Sequence, residues 1–183
     1  MIEKKIQTLL NKKDQVVIAM DGMAASGKST FAKGLAKHFR GTIIHMDDFF
    51  LQDHQRIEQR LNEVGGFVDY ERFYEEVIKP LMKGKLDHYH AYDCQDKTMT
   101  KIDLNPSSLY IIEGAYAMRP DFIGLYDLSI LWLIDSKEQK RRIKTRSPHL
   151  LQAFVNEWIP KENSYIEYFN LEDKADIVIE IAS

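Results

Sequence analysis

The chain has 183 residues, enough for one domain with a substantial buried core. A hydrophobic fraction of 44% and a charged fraction of 29% exclude wholesale disorder, and a net charge of −3 gives no overall attraction to nucleic acid or anionic membrane. The single cysteine, Cys94, excludes an intrachain disulfide and a cysteine-based zinc site, and it suits a reducing compartment.

The first residues, Met1-Ile2-Glu3-Lys4-Lys5-Ile6, mix charges and lack the apolar stretch of a secretion signal. The longest apolar runs have the length of a strand and not of a bilayer span, so the expectation is a cytoplasmic protein with no membrane partner. Ile2, Ile6, Leu9 and Leu10 fall at helical spacing and predict a short amphipathic helix. Residues 15–20 form a compact apolar run, read as a buried strand. Residues 29–39 then show helical periodicity through Phe31, Leu35, Ala36 and Phe39, with Gly41 as a stop. Residues 42–46 predict a second strand.

Residues 47–105 differ in character, being polar and rich in His, Tyr and Asp. Within them 70–83 reads as a helix and 88–102 as a hairpin or irregular loop. Strand signals return at 109–112, 128–134 and 175–181. Helical patterns at 137–146 and 150–169 separate them, and Pro160 should end or kink the second. Apolar strands alternating with helices predict an α/β domain with a mainly parallel sheet, its ligand at the carboxyl ends of the strands.

The sharpest local signal is Gly22-Met23-Ala24-Ala25-Ser26-Gly27-Lys28-Ser29, followed by Thr30. It matches G-x-x-x-x-G-K-[ST], the phosphate-binding P-loop, and it lies where that motif must lie, between a predicted strand and a predicted helix. Such a loop turns its backbone N–H groups onto a polyphosphate, with glycine where the backbone is unusual. Lys28 brings positive charge to the β- and γ-phosphates, and Ser29 offers a hydroxyl to Mg²⁺. The following helix presents its positive end to the same anion. A nucleoside triphosphate is therefore the expected ligand.

Two strings associated with GTPases occur out of context: Asn11-Lys12-Lys13-Asp14 precedes the loop, and Asp121-Phe122-Ile123-Gly124 closes no strand. The strand at 109–112 ends in one acid, Glu113, where a mechanical ATPase would usually carry two. One carboxylate there suffices to hold a metal through its water shell. Asp47 and Asp48 follow the second strand directly, so at least one stands at the ligand edge. It serves there either as the carboxylate that orients and deprotonates an acceptor hydroxyl or as a cap of the next helix. Lys137, Lys140, Arg141, Arg142, Lys144 and Arg146 crowd a late helix, read either as cations that close over a transferring phosphate or as a solvated face.

Together these segments resemble the uridine kinase and phosphoribulokinase group of P-loop kinases over nearly the whole chain. The resemblance rests on residues 22–30, on Met46-Asp47-Asp48-Phe49-Phe50, and on Ala91-Tyr92-Asp93. It continues through Ile111-Ile112-Glu113-Gly114-Ala115-Tyr116-Ala117, Arg141-Arg142, and Lys174-Ala175-Asp176-Ile177-Val178-Ile179. It implies a P-loop three-layer sandwich built on a mainly parallel five-stranded sheet, as a single domain over 1–183. A substrate-binding insert would span about 47–105 and a helical lid about 136–148.

By the same resemblance Asp47, Lys28 and Arg142 are catalytic, residues 22–30 and Arg146 bind ATP, and Ser29 with Glu113 holds Mg²⁺. Asp47, Phe49, Asp69 and Tyr92 would meet a nucleoside-like alcohol, although Asp69 equally suits a helix cap. Arg146 falls one residue later than the group's second lid arginine. After Tyr92-Asp93 the chain runs Cys94-Gln95-Asp96-Lys97-Thr98, without the histidine of uridine kinases, which departs from pyrimidine recognition. The expectation is a small-molecule kinase using Mg-ATP with no nucleic-acid partner. The alternative is a nucleotide-binding regulator or ATPase without an acceptor.

Overall fold

A computed structural model describes residues 1–182. Five strands form the main sheet: β1 (Val16–Gly22), β2 (Thr42–His45), β5 (Leu109–Glu113), β6 (Leu128–Ile134) and β7 (Ile177–Ile181). Between them in sequence, β3 (His88–Asp93) and β4 (Thr98–Asp103) make a separate antiparallel hairpin. The sheet order is β2-β5-β1-β6-β7, with each neighbouring pair parallel. The mainly parallel five-stranded sheet read from the sequence is therefore present.

Burial explains why these runs become central strands. Every residue of β1 and β5 is buried, so both faces of the sheet must be covered. Val16, Ile18 and Met20 face one way, onto helices α1 (Ile2–Leu10) and α2 (Lys28–Phe39), where Ile6, Ala32 and Leu35 complete a core. Val17 and Ala19 face the other, toward Phe49, Phe73, Tyr89, Tyr165 and Ile166. Three layers result. At the sheet edge β7 alternates, its Ile177, Ile179 and Ile181 facing inward and Val178 and Glu180 exposed.

Two longer helices carry a widened π turn. Residues 70–82 run as Tyr70–Phe73, a π turn Tyr74–Ile78, then Lys79–Met82. Residues 151–168 run as Leu151–Ala153, a π turn Phe154–Trp158, then Ile159–Tyr168. Each π turn lies just before a proline, Pro80 or Pro160. Proline has no N–H for the carbonyl four residues back and clashes with it, and the wider turn makes room. Pro160 thus bulges the helix without ending it. Among the described residues no helix is long and apolar enough to cross a membrane.

Candidate active site

β1 delivers the phosphate loop at its carboxyl end. Gly22 has φ 132°, and a Cβ there would lie 2.1 Å from the Trp132 carbonyl oxygen, which also accepts a 2.9 Å bond from Met23 N–H. Only glycine lets the chain leave the strand so close to β6. Gly27, at φ 102°, precedes α2, so the loop opens directly onto a helix N-terminus. Lys28 is buried, with Nζ 3.4 Å from the Met23 carbonyl. The Ser26 hydroxyl is buried and has no hydrogen-bond partner among the described residues.

Behind the loop Asp21 is fully enclosed. It accepts from Gly22 N–H (2.6 Å), Tyr116 N–H (3.0 Å), Met118 N–H (2.7 Å) and the Tyr165 hydroxyl (3.1 Å). Burial pushes its pKa up against the pull of those donors and of Lys28.

The neighbouring strand ends carry the acids. Ser29 Oγ donates to Glu113 Oε2 at 2.9 Å, and His45 Nδ1 lies 2.6 Å from Glu113 Oε1. Burial works to raise the Glu113 pKa, but the bonds from His45 and Ser29 and the charge of Lys28 bring it below its ordinary value. The His45 imidazole is shifted up in turn, chiefly by its bond to Glu113. Asp47 and Asp48 have separate fates. Asp48 Oδ2 accepts from the Tyr89 hydroxyl at 2.6 Å and its carbonyl accepts from Arg72 at 2.8 Å, so it is spent on structure. Asp47 is exposed and faces the cleft, with Lys28, Glu113 and His45 as its charged neighbours. Desolvation within the cleft raises its pKa, with Lys28 opposing and Glu113 reinforcing the rise.

Cations approach from the Ser136–Arg146 helix, capped by Asp135. Arg142 reaches the Ala25 and Ser26 carbonyls, each at 3.3 Å, while its Nε is held by Glu138 at 2.7 Å. Arg146 lines the cleft beside the Phe154 ring. Arg141 is exposed and bound to Glu138.

These parts border one cleft of about 790 Å³. Of the loop residues expected at the nucleotide, Ala24, Ala25, Gly27, Lys28, Ser29 and Thr30 line it, and Gly22, Met23 and Ser26 lie behind. Asp47, Glu113, Arg142 and Arg146 line it too. Three expected acceptor contacts are not brought there. Phe49 is core, stacked on Tyr89 and edge-on to Phe73. Asp69 caps the following helix through Arg72 N–H and holds Gln55 at 2.7 Å. Tyr92 is buried on β3. The lining includes instead Phe50, Arg56, Phe67, Gln95, Tyr116 and Trp158.

Asp21, His45, Gln139 and Glu162 escaped the sequence reading. His45 and Glu113 are paired across adjacent strands, a partnership that needed the strand order. Gln139 and Glu162 reach the loop from 115 and 138 residues away, and no local pattern marks them.

The strand order, with a glycine-rich loop leaving the central strand and acids following β2 and ending β5, makes the chain a P-loop α/β sandwich. No family model matches the chain. It is 28% identical over 185 residues to a uridine kinase from Anoxybacillus flavithermus, covering 92% of this chain and 87% of that one. A uridine kinase from Bacillus cytotoxicus is 26% identical over 184 residues, covering 90% and 84%. Among solved structures, one described as a possible uridine kinase from Bacillus stearothermophilus aligns with a TM-score of 0.67 at 22% identity, covering 97% of this chain and 98% of that one. YFH7 from Saccharomyces cerevisiae, described as a candidate P-loop kinase with a circular permutation, aligns at 0.66 and 13% identity, covering 100% and 98%. The resemblance to uridine kinase-like P-loop kinases holds over most of the chain, and the solved structures share its fold.

Proposed function

We propose that the protein is a cytoplasmic kinase that transfers the γ-phosphoryl group of Mg-ATP to a hydroxyl of a nucleoside or similar small alcohol. The observation that carries this reading is the Asp47 carboxylate, which has no hydrogen-bond partner among the described residues and faces the same cleft as the phosphate loop, while its neighbour Asp48 is bound to Tyr89. A carboxylate free in the phosphate cleft is what an acceptor hydroxyl needs, and a simple nucleotide-binding module has no use for it.

In this reading residues 1–183 form one kinase domain, with the acceptor insert at about 47–105 and the lid at about 136–148. Residues 22–30 cradle the phosphates, and Lys28, Arg142 and Arg146 balance their charge. The buried Ser26 hydroxyl, without a partner among the described residues, and the touching Ser29 and Glu113 oxygens fit a polyphosphate with a hard divalent ion. Bound there, Mg²⁺ supplies charge neutralisation. Asp47 orients the acceptor and takes its proton. The acceptor oxygen bonds to the γ-phosphorus as the bond to the β–γ bridging oxygen breaks, and ADP leaves with that electron pair. Phe50, Phe67, Tyr116 and Trp158 offer flat apolar faces to the acceptor, with Arg56 and Gln95 for polar contact.

The test is ADP release from Mg-ATP across a panel of nucleosides and related alcohols. Asp47→Asn should lower kcat roughly 100- to 10,000-fold with little change in ATP affinity. Turnover near wild type in that variant would remove Asp47 from the role. ATP binding without stimulation by any acceptor would favour a regulator or uncoupled ATPase.

A further inference from the structure

The phosphate loop is held by two side chains that the transfer reaction does not use. Ala24, third residue of the loop, donates its N–H to Glu162 Oε2 at 2.8 Å and accepts from Gln139 Nε2 at 3.0 Å through its carbonyl. Both backbone groups of one residue are thus taken by side chains of two different helices, Ile159–Tyr168 and Ser136–Arg146. Both side chains are deeply enclosed: Glu162 is 7% exposed and Gln139 1%.

An amide acceptor would satisfy the Ala24 N–H at lower cost than a buried carboxylate. The carboxylate also lines the cleft where the triphosphate would sit. Around it stand Lys28 from α2, Asp21 from β1, Asp47 from the segment after β2, and Tyr116 from the turn after β5. Lys161 and Glu157 belong to its own helical segment and pair with each other. Lys28 therefore faces two further carboxylates beside Glu162, while Arg142 and Arg146 of the Ser136–Arg146 helix line the same cleft.

We propose that Glu162, with Gln139, is a positioning residue of the phosphate loop and that it takes up a proton when a nucleoside triphosphate binds. This rests on the triphosphate site of the proposed function. The proton comes from solvent and adds to Oε1, which has no hydrogen-bond partner among the described residues, leaving Oε2 to accept from Ala24. A polyanion arriving in the cleft disfavours the ionised carboxylate, so binding and protonation are linked. The free protein sets the pH window, since burial pushes the Glu162 pKa up to about 7. Below that value the group is already protonated and affinity is insensitive to it. Above it each binding event must recruit a proton, so affinity falls as pH rises.

Titration calorimetry with ATP at pH 7.5, in buffers of different ionisation enthalpy, measures the protons taken up. Wild type should take up roughly half to one proton more than Glu162→Gln, which keeps an oxygen for Ala24 N–H. The wild-type Kd should also weaken relative to the variant between pH 6 and 8.5, by roughly tenfold. Gln139→Ala should weaken ATP binding several-fold and leave the proton count unchanged. Equal proton counts in wild type and Glu162→Gln overturn the inference and leave the kinase reading standing. Should Glu162→Gln fail to fold, a wild-type Kd that follows only the titration of ATP itself overturns it equally. Absence of ATP binding by the wild type overturns both.

Discussion

Asp21 illustrates what one buried carboxylate does for the loop. Its two oxygens each serve two donors: Oδ1 takes Gly22 and Tyr116 N–H, and Oδ2 takes Met118 N–H and the Tyr165 hydroxyl. The start of the phosphate loop, the turn after β5 and the helix bearing Glu162 are thereby tied to one residue. Asparagine has the same shape but one acceptor oxygen. Its amide would best replace Oδ2, since the Tyr165 hydroxyl can rotate to accept, and Met118 N–H would then be stranded. Asp21→Asn should cost about 1–3 kcal/mol, the penalty for one buried group left unpaired. Urea unfolding at neutral pH measures this. A variant as stable as wild type would mean that the bond from Met118 N–H has no net worth.

Glycine has opposite meanings at two positions of the element pair β1–α2. Gly34 lies exposed on α2, and nothing lies within 4 Å of an added Cβ. Gly22, at φ 132°, has backbone of Trp132 in the way. Gly34→Ala should therefore stabilise by about 1 kcal/mol through helix propensity alone. Gly22→Ala should misplace the loop and abolish ATP binding. Thermal unfolding and nucleotide titration on the two variants separate these effects. A destabilised Gly34→Ala, or normal ATP binding by Gly22→Ala, would contradict the roles given to these glycines. The π turns belong to the same scale: Pro160 signalled a break, yet it is absorbed by a widened turn, as Pro80 is in the helix read over 70–83, and Phe154 and Trp158 of the second turn line the cleft.

Across the whole molecule, legibility followed sequence distance. That the loop, Asp47 and Glu113 would border one cleft could be expected because each is local, a motif or an acid at a strand end. The clamp on Ala24 could not, because it joins residues brought together only by the sheet order. Phe49 and Tyr92 lie buried outside the lining of the cleft, and sequence could not foresee this because an aromatic ring suits a core and a ligand pocket equally, and only packing separates the two. The same distribution makes the site a global fastener. Residues 24, 28, 47, 113 and 142 come from different elements, so a ligand engaging all of them opposes unfolding of the entire chain. ATP with Mg²⁺ at one hundred times Kd should add about 2.7 kcal/mol, which for a chain of this size raises Tm by roughly 5–10 °C. Lys28→Ala removes the buried cation that faces Asp21, Asp47, Glu113 and Glu162, so the nucleotide-induced rise of each variant is read against its own ligand-free Tm. The substitution should erase most of that rise. An equal rise in wild type and Lys28→Ala would mean that the triphosphate is held elsewhere than in this loop.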